Sequence, residues 1–161
     1  MIVVSNTSPI SNLAALGRLS LLEQVYGKIT IPTAVANEIS NVGTTYTQAA
    51  AVPTLPWIQI QSVTDGTMLQ TLRTDLDEGE SEAIALAIEL KADLLLIDEQ
   101  LGRKVASGYG LKLKGLLGVL ITAKFRGLIP AVKPIVDDLI VQARFRVSNK
   151  LYADVIQSAG E

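Results

Sequence analysis

Four consecutive apolar residues, Leu94-Leu95-Leu96-Ile97, run directly into the acidic pair Asp98-Glu99. A run this short and this apolar reads as a central strand of a parallel sheet, covered by helices on both faces. Open α/β sheets bind ligands at the carboxyl ends of their strands, so the two acids stand where such a fold does its chemistry. The chain has no His and no Cys. Disulfides, thiolate zinc sites and cysteine nucleophiles are thereby excluded, leaving carboxylates, hydroxyls, amides and bound metal.

Strand and helix signals alternate along the rest of the chain. Ile2–Ser5 reads as a strand, followed by Ser8 as a helix N-cap with Pro9 in the first turn. Helical patterns run to Leu16 and from Leu19 to Tyr26. Lys28–Ile31 is a second strand, and Pro32 opens a helix to about Ser40. Residues 42–55 read as a loop with one helical turn, and Trp57–Val63 alternates as a strand does. Asp77 starts a helix to Lys91, Asp93–Ile97 is the buried strand, and a helix covers Gln100–Ser107. A short strand at Leu111–Leu113 precedes further helices. The pattern predicts a single domain over residues 1–161: a three-layer α/β/α sandwich with a central, mainly parallel sheet. Its C-terminal helix, residues 148–159, spaces Leu151, Tyr152, Val155 and Ile156 as an apolar stripe that packs on the domain or on a partner.

Several functions are set aside by what the sequence omits. There is no phosphate-cradling G-x-x-x-x-G-K-[ST] loop, and Gly108-Tyr109-Gly110 does not continue as a dinucleotide fingerprint, so no nucleotide cofactor is expected. The start lacks a secretory signal, and the longest apolar stretch, Leu116 to Ala123, is far short of a bilayer span. The expectation is a cytoplasmic protein without membrane contact.

A net charge of −2 conceals an asymmetry. Residues 1–100 carry 4 basic and 12 acidic side chains; residues 101–161 carry 10 basic and 4 acidic. An acidic centre beside a basic surface suits a metal-dependent enzyme acting on a polyanion, although solvated helix faces of opposite sign give the same totals.

Helical phase separates the acids. With about 100° per residue, Glu80 shares a side with Ala83, Ile84 and Ala87, whereas Glu78, Glu82 and Glu89 form an ordinary solvated face. Glu80 also completes a capping box with Asp77, which offers it a purely structural role. Glu38 falls at the boundary of its helix's apolar side. Asp98 is fixed by the strand it ends, with helix capping as its alternative use. If the first and fourth strands are neighbours, Asn6 and Asp98 stand side by side, with Glu80 above them. Converging carboxylates without a buried cation are costly, and a hard divalent ion relieves the cost. All-oxygen donors favour Mg²⁺ or Mn²⁺.

The segments Val3-Val4-Ser5-Asn6-Thr7-Ser8-Pro9, Ile31-Pro32-Thr33-Ala34-Val35-Ala36-Asn37-Glu38, Asp77-Glu78-Gly79-Glu80-Ser81-Glu82-Ala83-Ile84-Ala85-Leu86-Ala87 and Leu94-Leu95-Leu96-Ile97-Asp98-Glu99 resemble the PIN-domain nucleases. They are most similar to the prokaryotic branch related to VapC-type toxins. The end of the chain, Ala143-Arg144-Phe145-Arg146-Val147-Ser148-Asn149-Lys150-Leu151-Tyr152, resembles that branch's C-terminal segment.

The resemblance implies a PIN-like fold and a toxin–antitoxin ribonuclease that hydrolyses phosphodiester bonds with Mg²⁺ or Mn²⁺. Carried over by position, the catalytic ring is Asn6, Glu38, Glu80 and Asp98, with Glu38, Glu80 and Asp98 as metal ligands and Thr7 as a hydroxyl neighbour at the substrate. The implied partners are RNA, a cognate antitoxin protein and a second copy in a homodimer. Asn6 departs from the family pattern, since an amide replaces the usual Asp. One fewer carboxylate weakens metal binding, and a catalytically impaired module that binds RNA or a partner protein is the rival reading. Arg103 and Lys104, one turn past Asp98, are candidates to steer the phosphate backbone, as are Lys112 and Lys114. With 1 Trp, 4 Tyr and 2 Phe, an extensive base-stacking platform is not expected.

Overall fold

A computed structural model describes residues 1–42 and 47–161. In chain order it forms β1 (Val3–Ser5), α1 (Thr7–Ala15), α2 (Ser20–Tyr26), β2 (Ile29–Pro32), α3 (Thr33–Val42), α4 (Thr47–Ala51) and β3 (Ile58–Gln61). There follow α5 (Gly66–Arg73), α6 (Glu78–Glu89), β4 (Leu94–Leu96), α7 (Gln100–Gly108), β5 (Leu113–Lys114), α8 (Leu116–Phe125), α9 (Lys133–Gln142) and α10 (Asn149–Ser158). The five strands lie in the order β3-β2-β1-β4-β5, and every pairing is parallel. The α/β/α expectation is borne out.

Two cores explain the layers. Along β4, Leu94 and Leu96 join a cluster with α1, α2, α8 and α9, while Leu95 and Ile97 join another with α5, α6 and α7. Successive strand side chains point to opposite faces, so a four-residue apolar run serves both layers at once. Leu95, Leu96 and Ile97 are fully buried, each contributing about 1.5–3 kcal/mol relative to an exposed position. β1 pairs with β4 in the register Val3–Leu94, Val4–Leu95 and Ser5–Leu96, so Asn6 and Asp98 leave adjacent strands at one edge.

Local chemistry sets the element ends, and it corrects several expectations. Ser8 is not the cap of α1: the helix begins at Thr7, and Asn6 takes the N-cap position with an extended backbone. Pro9 then falls within the first turn, where its missing N–H costs no helical bond. The helix Gly66–Arg73 was not expected from the sequence; Asp65 starts it by accepting the Met68 N–H. The fifth strand is shorter than expected and lies at Leu113–Lys114. Within the loop expected at 42–55, residues 43–46 lie outside the described residues, and a helix and a short 3₁₀ turn occupy the remainder.

Glu82 and Glu89 are not idle surface acids. Glu82 accepts the Ala34 N–H at the start of α3, and Glu89 accepts both Thr64 and Asp65 N–H groups before α5. Each carboxylate thereby satisfies orphan donors at a helix start and meets its positive end. Glu78 alone of the three faces solvent, paired with Arg73 at 2.5 Å.

At the far end of the chain, α10 sends Val155 and Ala159 into the larger core, with Tyr152 packed against it. Glu161 holds this end in place, accepting from the Val132 N–H, the Lys133 N–H and Lys124 Nζ.

Candidate active site

Every residue expected at the site lies at the carboxyl edge of the sheet or on a helix that starts beside it. Asn6 follows β1 and is 4% exposed. Its backbone N–H bonds the Leu96 carbonyl, fixing it against β4, yet its Oδ1 is buried with no hydrogen-bond partner. Thr7 turns its hydroxyl onto a carboxylate oxygen of Glu38, linking the exit of β1 to α3.

The three candidate carboxylates each nest against a glycine of a neighbouring helix start. Glu38 lies against Gly79, where an added Cβ would meet its oxygens at 2.5 and 2.7 Å. Glu80 Oε2 stands 3.4 Å from the corresponding position on Gly102, and Asp98 Oδ1 stands 2.8 Å from that on Gly115. Small residues at these points let acids approach backbone closely, and a methyl group at 79 or 115 would displace one.

Asp98 is held asymmetrically. Oδ1 accepts the Leu116 N–H at 2.9 Å, so it caps α8, whereas Oδ2 is buried and unpartnered. Burial pushes its carboxyl above the usual range, opposed by the Leu116 N–H, the Arg103 guanidinium and, more weakly, the nearby Ser8 hydroxyl, with the Glu99 charge adding to the rise. Arg103 itself donates to the Ile97 carbonyl at 2.7 Å. It therefore sits beside Asp98 without forming an ion pair with it.

Glu80 is pushed up to about 7. Burial is the main cause, followed by a hydrogen bond with the Asp77 side chain and the charges of Asp77, Glu99 and Glu38. The capping-box alternative holds in one direction: Asp77 accepts the Glu80 N–H at 2.8 Å. The Glu80 carboxyl stays beside other acids.

The electrostatic neighbours define what is brought together. Glu80 feels Asp77, Glu99 and Glu38, while Asp98 feels Arg103 and Glu99. Glu99 thus bridges the two halves of the site, a role missed from the sequence although its position beside Asp98 was plain. Among the described residues no group of three acidic side chains stands close enough together to hold an ion as placed. The donor chemistry nonetheless fits a hard divalent cation. Two buried oxygens, on Asn6 and Asp98, lack any partner, and Glu80 sits among like charges that a cation would relieve.

Of the basic candidates, Arg103 and Lys114 line a cleft of about 1140 Å³ that opens beside Asp98 and Glu99. Lys114 bonds the Thr122 hydroxyl at 2.8 Å. Lys104 is exposed on α7, and neither it nor Lys112 lines the cleft. The segment Ala143 to Ser148 lines the same cleft, a connection with the acids that the sequence did not reveal.

No helix among the described residues is long and apolar enough to cross a membrane. A family model described as a PIN domain matches residues 2–161. A search of curated proteins finds no match.

Proposed function

Because this chain belongs to the PIN-domain family, whose chemistry is of nuclease type, we propose that it is a Mg²⁺- or Mn²⁺-dependent endoribonuclease of the VapC-like, toxin–antitoxin branch. The carrying observation is the buried, unpartnered Asp98 Oδ2 at the carboxyl edge of the sheet, with the equally unpartnered Asn6 Oδ1 at the exit of the adjacent strand. Native interiors rarely leave such oxygens unsatisfied, and bound cations are one of the few reasons they do.

Glu38, Glu80 and Asp98 would hold the metal, with Asn6 lending a neutral carbonyl oxygen. When bound, the ion supplies Lewis-acid polarisation of the phosphoryl group and a more acidic attacking water. The chain's own contribution is positioning. Asp98 is aimed by its bond to α8, Glu38 by the Thr7 hydroxyl, and Glu80 by the turn that Asp77 caps. Glu99, exposed at the start of α7, keeps the site negative. On this reading the protein is a single cytoplasmic domain, its substrate is RNA, and its regulation falls to a cognate antitoxin on a homodimer.

The neutral Asn6 favours a second reading, a PIN-like module that binds RNA or a partner protein with its hydrolysis impaired. RNA cleavage with and without Mn²⁺, comparing the native chain with Asp98→Ala, tests the first. Metal-dependent cleavage lost by a factor of about a hundred or more in the variant supports it. Identical rates exclude Asp98 from the chemistry.

A further inference from the structure

The cleft beside Asp98 is lined in part by the stretch between α9 and α10. Its exposure alternates: Phe145 and Val147 are half-buried against the larger core, whereas Arg144, Arg146 and Ser148 face out. This period of two fixes both guanidinium groups on the open side. Arg144 adopts a left-handed backbone, φ 54°, a conformation that favours glycine and is uncommon for a side chain of this size. It stands just past the C-cap of α9, where a left-handed residue ends the helix as Lys91 does after α6, and from there the chain turns out along the cleft.

Neither arginine has a hydrogen bond or ion pair with any described residue. Other cations of the C-terminal half are engaged: Lys124 with Glu161, Lys133 with Asp137, and Arg126 with the Val25 carbonyl. Arg144 and Arg146 therefore bring two unpaired guanidinium groups into a cleft that Arg103 and Lys114 also line. Among the described residues that line it, the acids are Asp98 and Glu99.

We infer that Arg144 and Arg146 form a phosphate clamp that grips the backbone of single-stranded RNA leading away from Asp98, with Arg103 and Lys114 lining the same cleft. The inference rests on the ribonuclease reading for the identity of the polyanion. Planar guanidinium forks bind phosphate oxygens in pairs, and such contacts fix register without reading sequence. Phe145 is turned toward the core, so the grip is electrostatic rather than a stacking platform.

Fluorescence anisotropy with a short labelled single-stranded RNA, in EDTA to prevent cleavage, tests the clamp. Arg146→Ala and Arg144→Gly are each expected to weaken binding about fivefold to tenfold. The double variant should lower the slope of log affinity against log salt by about 1.4. Restoring the charge with lysine at both positions should recover part of the affinity, and Arg73→Ala should leave it unchanged. Arg144→Gly should melt no lower than the native chain, because it relieves the left-handed strain; a structural arginine would give the opposite sign. The proposal is overturned if the native chain does not bind RNA, or if the double variant keeps its affinity and salt slope. Displacement by polyglutamate as effective as by RNA overturns it too, assigning the cleft to an acidic protein. Cleavage is read separately with Mn²⁺, so a clamp that binds RNA without hydrolysis leaves this inference standing and removes only the nuclease reading.

Discussion

The carboxylate of Glu38 fills the space that a side chain on residue 79 would need, with its oxygens 2.5 and 2.7 Å from where a Cβ would sit on Gly79. The same carboxylate receives the Thr7 hydroxyl. One acid thus joins the exit of β1, the middle of α3 and the first turn of α6, the turn that also carries Glu80. Position of the charge and packing of three elements are inseparable here.

Replacing Gly79 by alanine forces Glu38 out of this seat. Overpacking of this kind costs about 1–3 kcal/mol. Thermal unfolding should show that loss, and Mn²⁺ calorimetry should show weaker binding. Because both positions act on one carboxylate, Glu38→Gln added to Gly79→Ala should cost little more affinity, a non-additivity expected of neighbours. Additive losses would mean that Glu38 is not seated by residue 79.

Glu80 sets a pH dependence whose sign follows from its raised value of about 7. Its ordinary value is 4.5, so between 4.5 and about 7 the folded chain holds a proton that the unfolded chain has released. Metal-free stability should therefore fall as pH rises through that window and level off above it. Glu80→Gln should flatten the trend in melting experiments with EDTA. A cation needs the ionised form, so Mn²⁺ affinity should instead rise across the same window, with proton release on binding.

Residues fixed by period were legible in the sequence. The apolar run at Leu94 to Ile97 placed Asp98 at a sheet edge, and helical phase turned Glu80 inward beside Ala83 and Ile84. Capping acids were not. Glu82 and Glu89 share a solvated helical phase with Glu78, but they meet backbone donors 48 and 25 or 24 residues away, at the starts of other helices. The cleft was invisible for the same reason. No local pattern shows that Arg144 and Arg146 line one cleft with Asp98, because that depends on how the end of α9 is placed by tertiary packing. Asn6 was legible as a departure from a family pattern, while its buried, unpartnered Oδ1 emerged only from three-dimensional packing.

Asp98 has two separable duties, one per oxygen. Oδ1 caps α8 through Leu116, and Oδ2 is free for a ligand. Asp98→Asn retains an acceptor for Leu116 and removes a charge that burial disfavours, so its melting temperature in EDTA should equal or exceed that of the native chain. Asp98→Ala loses the cap and about 1 kcal/mol of stability. Both should lack metal-dependent cleavage. An Asn variant that melts as low as the Ala variant would show that the cap needs the charge.

Asn6→Asp poses the reverse trade. Position 6 is nearly sealed from solvent, its Oδ1 has no partner, and no cationic side chain bonds it. An added carboxylate there is an unpaired buried charge, which costs several kcal/mol if ionised or raises its own pKa instead. The variant should therefore unfold at a lower temperature in EDTA at neutral pH, with the deficit shrinking in acid as the new group protonates. Mn²⁺ should reverse the order. A tenfold gain in affinity corresponds to about 1.4 kcal/mol, and at saturating ion that gain appears directly as added stability of the folded chain. Melting curves with and without Mn²⁺ check both halves. A variant as stable as the native chain in EDTA and no better stabilised by Mn²⁺ would place residue 6 outside the cation site.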